Sequence, residues 1–384
     1  VRAAPPGRLA GIIAGVAYVY SPYLVYREPY VRGDYPELLA FALFPFVMWA
    51  FDRLARMGRG RDVALAAILL GLLTLSHNLM AVALAGLLGG WIIWGRLVGA
   101  TDGRRFALVV AAAALGVLLT ARFWLPVLLE RDAVQLDRLI AIPSLDYRNA
   151  FVPPRELFGF VPRVDLGAIN GLRAVSSLGF VQWTLALAGL LTAGAGALGA
   201  RRRSLPVLAG VPLALYFAAA GALMIALMLP AAEEVWDAVP GLAYLQFPWR
   251  LLGPVAFCLA VLAGLNARWI ERLPGQWGGA AVAALLALLV ALTMPLWPIA
   301  PAWRVAEADT SVAAYHRAEI NVDLPSGTTV TNEFLPRDVY VIPDPTGTLL
   351  DDYADGYPVN KLHLGVLPEG VEAALVEHGP QRDK

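Results

Sequence analysis

Between residues 26 and 46 the chain reads YREPYVRGDYPELLAFALFPF, and Arg27, Glu28, Arg32, Asp34 and Glu37 crowd into its first twelve positions. Charge is scarce in this protein: 16% of residues are charged and 58% are hydrophobic. A carboxylate such as Asp34 or Glu37 can take the proton of a sugar hydroxyl. It can also hold a divalent cation that neutralises a phosphate leaving group. Two guanidinium forks, Arg27 and Arg32, can clamp a lipid phosphate. The same residues have a plainer reading. Asp34-Tyr35-Pro36-Glu37 sets an acid, a proline in the first turn and a second acid three residues on. That is close to a capping box and starts a helix, and both acids suit its dipole. Snorkelling, or pairing with Glu28 and Asp34, would account for the arginines.

Four further places carry polar chemistry. Ser76-His77-Asn78 interrupts a long apolar stretch. There His77 can hydrogen-bond a phosphate or a sugar hydroxyl, while Ser76 and Asn78 suit a hairpin tip. Gln246-Phe247-Pro248-Trp249-Arg250 opens another apolar run. Its tryptophan is a normal interfacial residue, but Arg250 is a second phosphate contact, with Gln246 beside it. Arg122 is a weaker third. Glu333, in NEFLP, can reach a membrane-facing site or brace a domain junction.

These residues must be positioned by membrane helices. Mean hydropathy is +0.61. Apolar runs recur at 9–26, 36–51, 63–75, 79–95, 106–121, 178–199, 205–229, 251–267 and 278–297. Most approach the roughly 20 residues that cross a bilayer as a helix. The expected fold is an all-α polytopic membrane bundle of about nine transmembrane helices over 1–299. A small, β-rich extracytoplasmic domain, itself incomplete, is expected over 300–384. The division follows composition. Up to Ile299 there are 24 Arg against 16 acidic residues, and from Ala300 on there are 6 basic against 14 acidic. VYVI and NKLHLGVL alternate apolar and polar residues, as short strands do. The lone Cys258 excludes a disulfide framework and a cysteine metal site. The chain opens on Val1 and enters an apolar run at once, which reads as a fragment lacking its N-terminal portion.

Arginine placement orients the bundle. Arg2 and Arg8, Arg53 to Arg61, Arg96 to Arg105, Arg201 to Arg203, and Arg268 with Arg272 fall in alternate loops. The intervening short loops hold only Arg27, Arg32 and Arg250. The positive-inside rule puts the first set in the cytoplasm. This requires 62–97 to be two arms broken at Ser76-His77-Asn78, because one long helix would separate Arg53–Arg61 from Arg96–Arg105. The loops at 27–35, 76–78, 128–175 and 230–248, and the tail, then face outward from the cell membrane.

In chain order, YVRGDYPELLAFALFPFVMW, LLTLSHNLMAVAL, LQFPWRLLGP and TNEFLPRDV resemble bacterial membrane proteins described as 6-pyruvoyl-tetrahydropterin synthase-related, and more loosely the YfhO family. These look like C-type glycosyltransferases, polytopic enzymes that use polyprenyl-phosphate sugars. The resemblance implies transfer of a sugar from such a donor to an envelope acceptor on the extracytoplasmic side. Asp34 and Glu37 would be the catalytic carboxylates. Arg27, Arg32, His77, Asn78, Gln246, Arg250 and Glu333 would bind substrate, and a divalent cation is a possible cofactor. In that superfamily the usual catalytic aspartate lies in the first outward loop, which a truncated chain would lack. The expected partners are the lipid bilayer and the polyprenyl-phosphate-linked sugar, with no nucleic acid. Pterin chemistry is not expected, since none of the four histidines forms an H-x-H or H-x-x-x-H pair. The rival readings are a non-enzymatic lipid or glycan transporter and a scaffold for envelope assembly. A transporter would show intramembrane charge and internal repeats.

Overall fold

The computed structural model describes residues 7–135, 146–160, 175–203, 211–239, 241–274, 276–293 and 336–337. It divides into two units. One comprises residues 1–128 and 143–300, and the other 129–142 and 301–384. In the second, Val134 and Pro336 form an antiparallel bridge. Arg337 donates its backbone N–H to Ala133 there, at 2.9 Å. No strand occurs among the described residues, and the β-rich expectation for 300–384 lies almost wholly outside them.

The first unit is helical. Its first span is broken: α1 (Arg8–Val19) gives way at Tyr20-Ser21-Pro22 to a π-helical segment, Tyr23–Arg32. Gly33 follows with φ +64°, a left-handed turn that glycine adopts without strain. Then come α2 (Tyr35–Met57), α3 (Gly60–Ser76), α4 (Asn78–Leu97) and α5 (Gly103–Leu119). The next helix, α6 (Ala121–Leu129), bends away from α5 by 72°. After the short α7 (Pro154–Phe158) follow α8 (Phe180–Arg203), α9 (Val211–Met228) and the short α10 (Glu233–Ala238). The unit closes with α11 (Leu252–Gly264), α12 (Ala267–Ile270) and α13 (Gln276–Thr293).

Five helices among the described residues are long and apolar enough to cross a membrane, or six if the bent α5–α6 pair is one span. They carry exposed large apolar side chains such as Phe46, Trp49, Val82, Leu118 and Leu223, a surface suited to lipid. Inside, α1, α2, α9 and α11 share an aromatic core in which Phe257 meets Tyr18, Phe44 and Phe217 edge-on. Small residues let α3 and α5 approach closely. A Cβ added at Gly116 would stand 2.9 Å from the Ala67 carbonyl oxygen.

Loop contacts sort the helix ends. The α2–α3 turn lies against the start of α5, where a Cβ at Gly58 would be 3.3 Å from Arg105 Cγ. Gly7, before α1, lies beside Glu271 after α12. At the other ends of these helices Asp34, His77 and Arg250 converge. Arg53–Arg61 and Arg96–Arg105 therefore share one end of the bundle, and α3 and α4 are the two arms expected.

Candidate functional site

The convergence point is a buried ion-pair cluster built from three separate stretches of chain. Arg32 is its hub. Its Nη1 donates to Glu28 Oε1 at 2.7 Å and to Glu37 Oε2 at 2.6 Å, and Nη2 donates to Asp34 Oδ2 at 2.9 Å. Tyr23 donates its hydroxyl to the other Glu37 oxygen at 2.8 Å. Arg250 Nε stands 3.5 Å from Glu37 Oε2. Glu28 and Glu37 are fully buried, and Arg27 and Arg250 nearly so. Two guanidinium groups, Arg32 and Arg250, thus pair with three carboxylates, which lets so much charge sit away from water.

Local sequence explains the placement. Glu28 and Arg32 are four residues apart on one helical face. Asp34 is the N-cap of α2 and accepts the Glu37 N–H at 3.0 Å, as the capping pattern predicts. Glu37 does not close the capping box; its carboxylate turns inward to Tyr23 and Arg32. His77 separates α3 from α4, and its Nδ1 accepts the Met80 N–H at 3.2 Å. Asn78 is exposed, with Oδ1 on the Leu79 N–H, while Ser76 Oγ donates to Leu73 O.

Arg27 and Arg250 frame an aromatic shelf. The Arg27 guanidinium lies 3.8 Å from the centre of the Trp249 ring, and Phe247 stacks on Trp249 at 4.8 Å. Arg27 Nη1 also donates to Ser176 Oγ at 2.6 Å. Arg250 Nη1 donates to Leu245 O at 3.1 Å and Gln246 Oε1 at 2.9 Å. Gln246 holds φ +62°, a strained conformation for a side chain with a Cβ. The Nε atoms of both Arg27 and Arg250 are buried with no hydrogen-bond partner among the described residues.

Asp34 and His77 are the partly exposed members. Burial alone would raise the Asp34 carboxyl. Its contact with His77, the Glu37 N–H and the Arg32 charge overcome this and hold it well below the ordinary carboxylate range.

Asp34, Glu37 and His77 each offer one ligand atom, all within 4.8 Å of one another. That spacing raises the question of a divalent cation. Arg32 already lies on the same Asp34 and Glu37 oxygens. With Nδ1 accepting a backbone N–H, the neutral His77 ring carries its proton on Nε2, the atom 3.6 Å from both carboxylates. A protonated nitrogen has no lone pair for a metal. The three side chains fit a guanidinium here, and a divalent cation does not fit unless both Arg32 and the helix cap give way.

Of the residues singled out by sequence, the structure gathers Arg27, Arg32, Asp34, Glu37, His77, Gln246 and Arg250 into one cluster. Asn78 stands beside it, and Glu333 lies outside the described residues. Sequence reasoning left out Tyr23, named Glu28 only as a partner for the arginines and read Trp249 only as an interfacial residue. The four-residue step from Glu28 to Arg32 was the available signal for one of them. Tyr23 and Trp249 read as apolar or interfacial residues, and only the fold brings them to the charges.

Fold and site together define a mostly helical protein with several apolar helices of membrane-crossing length and a buried charge cluster at one end of the bundle. No family model matches the chain, and no curated protein or solved structure does either.

Proposed function

We propose that the protein is a membrane-embedded glycosyltransferase that moves a sugar from a polyprenyl-phosphate donor to an envelope acceptor at the extracytoplasmic face of the cell membrane. In this reading the nine apolar runs are nine crossings, the arginine-rich end is cytoplasmic, and the tail from residue 300 is an outward β-rich domain. The carrying observation is the pair of nearly buried guanidinium groups, Arg27 and Arg250, whose Nε–H groups make no hydrogen bond among the described residues, although that of Arg250 is within ion-pair reach of Glu37. A buried donor without an acceptor suits an anionic ligand, and a lipid phosphate matches a site at the end of apolar helices.

Each residue then has a role. Arg27 and Arg250 receive the phosphate and stabilise the charge that grows on it as the bond to the sugar breaks. Arg32 holds Glu28, Asp34 and Glu37 in place and supplies the positive charge that a cation would otherwise bring. Asp34, the accessible carboxylate, faces the acceptor. The acceptor oxygen bonds to the anomeric carbon, polyprenyl phosphate departs, and the hydroxyl proton passes to Asp34. A carboxylate held below its ordinary range is a weak base, so that proton moves late, once the new bond has made the hydroxyl acidic.

The broken first span and the bent α5–α6 pair favour one second reading, a transporter of the same lipid, because discontinuous helices line transport sites. Proteoliposomes carrying full-length protein and a panel of polyprenyl-phosphate sugars separate the two. An enzyme gives sugar transferred to an acceptor and free polyprenyl phosphate. Movement of intact donor between leaflets without transfer contradicts the enzyme reading.

A further inference from the structure

A second site lies at the other end of α11 from Arg250. A groove of about 560 Å³ runs between α8, α12 and α13, lined by Leu185, Leu191, Thr192, Trp269, Ile270 and Leu285 among others. Its lining is almost wholly apolar. At its edge Trp269 is half-exposed, and the Arg272 guanidinium carbon lies 5.2 Å from the Trp269 ring centre. Arg268 is also exposed. It lies in α12, and Arg272 follows the end of that helix, so the two arginines belong to one short stretch of chain. The intervening acid, Glu271, is directed to Gly7 at the start of α1.

We propose that this groove seats an acyl chain of one anionic phospholipid, with the phosphate held by Arg272 and Arg268. The apolar lining alone would accept any lipid tail. The choice of an anionic headgroup rests on charge complementarity at the rim, where the Arg272 guanidinium lies over a tryptophan suited to an interfacial anchor and Arg268, next to that tryptophan in the chain, is exposed. The Arg272 head lies over the Trp269 ring, a cation–π contact that holds a positive charge at the mouth of an apolar groove. The site does not rest on the polyprenyl-phosphate reading, because it shares no residue with that cluster.

Native mass spectrometry of the full chain in detergent tests this, with dioleoyl phosphatidylglycerol and dioleoyl phosphatidylcholine as probes. The parent should retain one phosphatidylglycerol about tenfold more tightly than phosphatidylcholine. The Arg268→Gln, Arg272→Gln double variant should lose that preference and keep its helical circular dichroism. Leu285→Trp, which fills the groove, should weaken both lipids. Soluble glycerol phosphate at equal concentration should not displace the lipid. Equal retention of the two lipids by the parent overturns the proposal. So does an unchanged preference in the double variant, or a groove-dependent dimer in place of bound lipid.

Discussion

Asp34 is where capping and chemistry meet. Its carboxylate caps α2, pairs with Arg32 and faces His77. Because its folded-state pKa is depressed, the stabilisation it brings is fully present above the ordinary carboxylate range. It is lost as pH falls below about 4 toward the folded-state value. Asn at position 34 keeps a capping oxygen, and Asn caps about as well as Asp, so the cap itself changes by no more than a few tenths of a kcal/mol. Thermal unfolding of the detergent-solubilised protein between pH 3 and 7 should show a shallower acid limb for Asp34→Asn than for the parent. Equal slopes would mean that Asp34 is not held as a charged hub. Arg32 is the poorer place to probe function. Removing it takes the ion-pair partner from fully buried Glu28 and one partner from Glu37, a change expected to cost about 3–5 kcal/mol.

At the scale of elements, the loops outside the helices are braced as well. Tyr147 stacks on Trp236 with ring centres 5.3 Å apart and donates its hydroxyl to Asp237, which also receives Arg148. Burial, then the bond to Asp237, pushes the Tyr147 phenol up to about 12. A raised folded-state pKa gives stability that is complete below the ordinary tyrosine range near 10 and disappears as pH rises through about 12. Tyr147→Phe keeps the ring stack and removes the hydroxyl. It should cost about 0.5–1.5 kcal/mol at neutral pH and lose the parent's extra alkaline sensitivity between pH 10 and 12. Hydrogen exchange across residues 146–152 at both pH values checks this, and identical alkaline behaviour would contradict it. Helices of this kind were legible beforehand, because long apolar runs and an acid–proline–acid start depend only on local sequence. The break at His77 was legible as an interruption, but the capping role was given to Ser76 and Asn78. An imidazole Nδ1 that accepts a backbone N–H depends on ring orientation, which no spacing encodes. The π-helical segment carrying Glu28 and Arg32 was not legible either; Tyr23, at its start, meets Glu37 only in the fold.

For the whole molecule, the arginine pattern anticipated which helix ends lie together. The turn at Gly58 against Arg105, and Asp34 against His77, put the two groups of loops at opposite ends of α2, α3 and α4. Sequence also located the charged members of the cluster. Pairing with Glu28 and Asp34 was the plainer reading of the arginines; that Arg32 also takes Glu37 was not foreseen, since Glu37 read as a capping residue and partner choice is a tertiary outcome. In the proposed reading phosphate recognition then falls to Arg27 and Arg250, whose buried Nε–H groups make no hydrogen bond among the described residues. The most direct test of this account is the affinity of purified full-length protein for polyprenyl phosphate, measured beside uncharged polyprenol. Arg250→Gln leaves Glu37 paired with Arg32 and Tyr23, so the fold should persist. A charge-assisted contact is worth about 1.5–3 kcal/mol. The account therefore predicts that Arg250→Gln weakens polyprenyl phosphate roughly 10- to 150-fold and leaves polyprenol unchanged. A variant that binds polyprenyl phosphate as the parent does, or a parent that does not distinguish it from polyprenol, would contradict it.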